Sequence, residues 1–84
     1  MLEVVDAKYI SGFTLQLAFN DGTQGQVDLK SSLWGPVFEP LNDLSFFKQF
    51  RLSPILRTIC WPNDADFAPE HLKAKMIEQS PEPY

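Results

Sequence analysis

Phe13-Thr14-Leu15-Gln16-Leu17-Ala18-Phe19-Asn20-Asp21-Gly22 is the stretch that decides the fold. Phe13, Leu15, Leu17 and Phe19 alternate with Thr14, Gln16, Ala18 and Asn20, a period of two that marks a strand with one buried face. Asp21-Gly22 is a turn signal, and beyond it Gly25, Val27 and Leu29 alternate with Gln24, Gln26 and Asp28. A two-residue loop at Asp21-Gly22 would set the apolar stripe of one strand against the polar stripe of the next. The longer loop Asn20-Asp21-Gly22 instead pairs Leu17 with Gly25, Leu15 with Val27 and Phe13 with Leu29. Such a loop is a type I turn closed by a left-handed residue, which places Gly22 at positive φ.

Towards the N-terminus, Val5, Ala7 and Tyr9 form a weaker stripe before Ser11-Gly12. A loop Ile10-Ser11-Gly12 pairs Tyr9 with Phe13, Ala7 with Leu15 and Val5 with Leu17, with Gly12 also at positive φ. The two turns predict a three-stranded antiparallel meander over residues 3–29. Lys30 to Trp34 reads as one helical turn, stopped by Gly35-Pro36. Asn42 or Asp43 suits the N-cap of a short helix running through Phe50, with Leu44, Phe47 and Phe50 on its inner face and Phe46 off it. Arg51 to Trp61 reads as strand, turned at Ser53-Pro54, with Arg57, Ile59 and Trp61 alternating against Thr58 and Cys60. Trp61 to Asp66 is a loop. Pro69 then suits the first position of a helix, Glu70 and the later Lys73 and Lys75 complement its dipole, and Leu72 and Met76 face inward. The expected fold is α+β: an antiparallel sheet of four to five strands, a short middle helix, and a C-terminal helix on one face. Residues 1–79 are expected to form a single domain and residues 80–84, which include Pro81 and Pro83, a flexible tail.

The composition fits one small globular unit, with 84 residues, 44% apolar and 21% charged. Eleven acidic residues against seven basic give a net charge of −4. That balance argues against nucleic acid, whose phosphates are met by Lys and Arg, and against an anionic membrane surface. No apolar run reaches the ~18 residues of a membrane-spanning helix. One cysteine allows no internal disulfide. Met1 to Asp6 has neither a basic flank nor a long apolar stretch, so no signal peptide is expected and the location is expected to be cytoplasmic.

The densest chemistry lies in Asn63-Asp64-Ala65-Asp66 and Glu70. Carboxylates at this spacing suit Ca²⁺ or Mg²⁺, but counted from Asp64 the Ca²⁺-loop pattern has Pro69 where glycine is needed and Lys75 where a bidentate Glu is needed. Turn formation and helix-start electrostatics account for the same residues without a metal. Cys60 and His71, each the sole residue of its type, fall short of a zinc site. Against a Cys–His nucleophile pair, Cys60 lies in an apolar strand, where a free Cys behaves as a small hydrophobe, and His71, two residues into a helix, is expected to face solvent. There is no Gly-x-Ser-x-Gly and no glycine-rich phosphate loop. No enzyme activity, metal or cofactor is expected. Trp34 and Trp61 each abut a proline turn, and two readings stay open for them: half-exposed interface anchors, or indoles closing the rim of the core.

The order of these features resembles the bacterial domain-of-unknown-function family 2442. The resemblance rests on Leu15 to Phe19 followed by Asp21-Gly22, on Val27-Asp28-Leu29, on Phe38 to Leu41, on Phe50, and most specifically on Trp61-Pro62-Asn63-Asp64-Ala65-Asp66-Phe67-Ala68-Pro69-Glu70. Asp64 stands where the family usually has glycine, and Lys73 where tyrosine is common. The resemblance implies an α+β domain with an antiparallel sheet and no established activity. It also implies a gene set beside that of another small protein, in arrangements like toxin–antitoxin pairs.

The leading expectation is a non-enzymatic protein-interaction module, one half of such a pair, whose partner is the product of a neighbouring gene. Its expected binding surface is Trp34, Trp61, Asn63, Asp64, Asp66 and Glu70 rather than the polar outer face of the meander. The alternative is a small metal-dependent or hydrolytic enzyme using Asp64, Asp66, Glu70 and His71; a second alternative is a structural homo-oligomer.

Overall fold

The computed structural model describes residues 1–80. The expected tail falls, from residue 81 on, outside the described residues. The chain forms β1 (Val4–Ser11), β2 (Thr14–Phe19) and β3 (Gln24–Asp28). Two short 3-10 turns follow at Lys30–Ser32 and Glu39–Asn42, then α1 (Leu44–Phe47), β4 (Arg51–Ser53), β5 (Thr58–Cys60) and α2 (Pro69–Glu78). The class is α+β, with the strands divided between a three-stranded antiparallel meander and a separate two-stranded hairpin.

The β2–β3 register is the one that the alternation and the three-residue loop together require: Leu15 pairs with Val27 and Leu17 with Gly25. The loop is closed by the Phe19 N–H donating to the Thr23 carbonyl at 2.9 Å, and Gly22 sits at φ 91°. A side chain there would hold its backbone in a region that L-residues avoid. Leu15, Leu17, Phe19 and Val27 are all buried. Gly25 serves another need. A Cβ there would lie 3.1 Å from the Met76 sulfur, so its absence lets α2 lie close against β3.

The β1–β2 hairpin differs from expectation. Ala7 pairs with Leu17 and Tyr9 with Leu15, not with Leu15 and Phe13. The turn is Gly12-Phe13, flanked by the pair Ser11–Thr14, with Gly12 at φ 50° in its first position. A displacement of two residues keeps the same faces matched, so alternation alone does not choose between these registers. The strand absorbs the difference in irregularities at Val5 and Ile10, and both side chains are exposed. Val4, rather than Val5, enters the core.

In the middle segment the Asp43 carboxylate accepts from the Ser45 N–H at 3.0 Å and its hydroxyl at 2.8 Å, capping α1. The helix is a single turn, and the chain then tightens, with Gln49 and Phe50 N–H groups donating three residues back. The three-apart spacing therefore does not trace a helix face. Phe47 is buried, Phe46 and Phe50 pack partly on the core, and Leu44 is exposed. Arg57 is not a strand residue either. It turns the chain into β5 at φ 59°, and its carbonyl accepts from the Val4 N–H at 3.0 Å, joining the hairpin to the meander. Thr58, Ile59 and Cys60 are all buried, so β5 is covered on both faces and shows no alternation.

Pro69 occupies the first turn of α2, and Leu72 and Met76 are its buried residues. The Lys73 ammonium bonds the Asp21 carboxylate, tying α2 to the β2–β3 loop. The Gln79 side-chain amide accepts from the Asp28 N–H at 2.7 Å and donates to its carbonyl at 2.8 Å, closing one end of the exposed β3 edge. Among the described residues, no buried side-chain polar atom lacks a hydrogen-bond partner.

Candidate functional site: an aromatic cleft beside Trp34

The two tryptophans have opposite fates. Trp61 is 1% exposed, and its indole N–H donates to the Phe47 carbonyl at 2.8 Å. It therefore belongs to the core and not to the expected binding surface. An indole buried with its one donor satisfied loses nothing to desolvation and gains the full burial of a large ring. Trp34, just after the first 3-10 turn, is 76% exposed.

The loop between β5 and α2 is built around Trp61. Its carbonyl accepts from the Asp64 N–H and its N–H donates to the Ala65 carbonyl, each at 2.9 Å. That turn puts Asp64 at φ 68°, a conformation Asp tolerates better than most residues. Asn63 acts as a clamp: its amide donates to the Val37 carbonyl at 3.0 Å, and its oxygen accepts from the Ala65 N–H at 3.2 Å. A backbone bridge pairs Cys60 with Asp66. Beyond it, Ala65 and Phe67 point into the core while Asp66 faces out.

Phe67 carries the core outward to the surface. The Trp61 ring meets it edge-on at 5.8 Å. Phe67 in turn stacks on Phe38 at 4.6 Å and on His71 at 5.5 Å, with interplanar angles of 16° and 10°. Its carbonyl is held by the buried Thr58 hydroxyl, which donates at 2.7 Å. The outer end of this aromatic series opens into a cleft of about 310 Å³ lined by Ser32, Trp34, Phe38, Asp66, Phe67, Ala68 and His71.

Of the residues expected to form a site, the structure thus brings Trp34 and Asp66 together. Asn63 and Asp64 are used in the loop's own bonding, and Glu70 lies exposed on the first turn of α2. Among the described residues no three His, Cys, Asp or Glu side chains are gathered as metal ligands, Asp64, Asp66, Glu70 and His71 included. Cys60 is buried in β5 and His71 is stacked on Phe67; no hydrogen bond joins them among the described residues. Phe38, Phe67 and the role of His71 were not readable as site features. The usable signal was the alternation Ala65-Asp66-Phe67, which sends the acid outward between two core residues.

No described helix is long and apolar enough to cross a membrane. Neither a curated protein nor a solved structure matches the chain. A family model described as protein of unknown function, DUF2442, matches residues 4–78, which takes in the meander, the middle segment, the β5–α2 loop and all of α2. The chain belongs to the DUF2442 family.

Proposed function

We propose that this protein is a non-enzymatic, cytoplasmic interaction module that binds a protein partner through Trp34 and the cleft beside it. The observation that carries the reading is the exposure of Trp34, 76%, at the mouth of a preformed aromatic cleft. Trp is the residue type most enriched at interface hot spots, and leaving one in water is costly unless it has a partner. The back wall of the cleft is held by bonded core residues, so that wall adds little ordering cost on binding. The paired-gene arrangement that the family resemblance implies makes the product of a neighbouring gene the first partner to try. The test is capture from the source cells with wild-type and Trp34→Ala baits. A protein held by the first and lost by the second supports the reading; one held equally by both overturns it.

A second reading, a structural homo-oligomer, has its own observation. Ile55 is 86% exposed at the β4–β5 turn, with exposed Leu52 and Leu56 beside it in sequence. A domain this small gains from association. Sedimentation equilibrium separates the two: self-association that Ile55→Asp abolishes favours the oligomer, and a monomer at every concentration removes it.

A further inference from the structure

We infer that the cleft beside Trp34 receives an arginine side chain of the partner, its guanidinium flat on the Trp34 indole and its fork on the Asp66 carboxylate; this rests on the interaction reading above. Among the described residues, Asp66 is the one carboxylate lining the cleft, and no lysine or arginine lines it. Asp64, Asp66 and Glu70 have no ion-pair partner among the described residues, whose ion pairs join Arg57 to Glu3, Lys73 to Asp21 and Lys75 to Glu78. The chain as a whole carries a net charge of −4. The field at the cleft therefore favours a cation and repels an acidic side chain.

The walls narrow the choice of cation. Phe38 and Phe67 offer apolar cover for an aliphatic stem, His71 adds the imidazole ring stacked on Phe67, and Trp34 offers the exposed face of the best cation–π ring. A planar guanidinium stacks on such a face and meets a carboxylate through two N–H groups. A lysine ammonium does neither, and gives up more hydration on entry. An apolar side chain would fill the space but would strip water from Asp66 without giving it a partner. Arginine is the side chain that satisfies both the ring and the acid.

The two indole N–H signals in ¹H–¹⁵N spectra give the test its internal control, since Trp61 is sealed in the core. The probe is the blocked tripeptide acetyl-Gly-Arg-Gly-amide, with the Lys and Leu analogues beside it, added to on the order of 10 mM, the range in which a single anchored side chain is detectable. The arginine peptide should move the Trp34 signal and leave Trp61 still. The Asp66 side chain makes no hydrogen bond or ion pair among the described residues, and Asp66→Asn should weaken that binding about fivefold, the loss of one exposed charge-assisted contact. An equal response to the leucine peptide, or an affinity unchanged by Asp66→Asn, overturns the arginine inference. So does a Trp34 signal that no peptide moves. The interaction reading survives any of these if the captured partner is still lost with Trp34→Ala, and falls with the inference if it is not.

Discussion

The indole N–H of Trp61 donates to the backbone carbonyl of Phe47 at 2.8 Å, and the two rings lie 5.6 Å apart. This bond fastens the β5–α2 loop to α1 from the inside. It separates the two tryptophans: Trp61 holds the loop, and Trp34 stands exposed.

Trp61→Phe should keep most of the packing but take away the shorter of the two bonds to the Phe47 carbonyl, leaving the one from the Phe50 N–H at 3.3 Å, a loss of about 0.5–1.5 kcal/mol. Trp61→Ala adds a cavity, and the loss should reach about 3–5 kcal/mol. Urea unfolding of both variants checks the order. Equal stabilities for wild type and Trp61→Phe would mean that the bond contributes nothing.

Thr58→Val removes the donor to the Phe67 carbonyl at nearly constant volume. It should cost about 1–2 kcal/mol, since a buried acceptor is left unsatisfied. It should also loosen the Phe67–His71 stack, read as a shift of the His71 ring resonances. A stable variant with unmoved His71 signals would show that the cleft is held by other contacts.

Gly22→Val should destabilise the fold by about 1–3 kcal/mol, the usual cost of a strained backbone position. No atom lies within 4 Å of a Cβ built there, so the cost is conformational and not steric. Gly22→Asn should therefore be milder, because Asn enters the left-handed region more readily. Thermal melts giving both variants the wild-type midpoint would refute the turn geometry.

Acid should weaken the tie between Asp21 and α2. The Lys73 ammonium, with the hydroxyl and N–H of Thr23, holds the Asp21 carboxyl well below the usual carboxylate range. The Ser45 hydroxyl and N–H lower Asp43 in the same sense. A carboxyl depressed in the folded state adds stability above its unfolded pKa, about 3.9, and that stability is lost as pH falls towards the folded value. The advantage of wild type over Asp21→Asn in thermal midpoint should be full at neutral pH and shrink below about pH 4. An advantage that stays constant into strong acid would contradict the assignment.

The parts of this fold that alternate on one face could be read from the chain. Leu15, Leu17 and Val27 set which faces meet, and the three-residue loop ending at Gly22 picked the register among those that keep them matched. The β1 register was not legible, because shifts of two residues preserve the faces and the irregularities at Val5 and Ile10 leave no signature in composition. At the site, the motif around Trp61 marks the loop that borders the cleft, but Asn63 and Asp64 are used in holding that loop together. Asn63 reaches Val37, more than twenty residues away in the chain, and Phe67 reaches Phe38. Long-range contacts of this kind have no local pattern, and they are what turned Trp61 inward and left Trp34 outside.

The account stands most directly on one dissociation constant: that of the captured partner, purified, for Trp34→Ala against wild type, measured by calorimetry. Trp34 touches solvent far more than core, so the variant should melt at the wild-type temperature. Its affinity should fall by at least about tenfold, the loss expected of a hot-spot tryptophan. A folded Trp34→Ala variant that binds the partner as tightly as wild type would contradict the account.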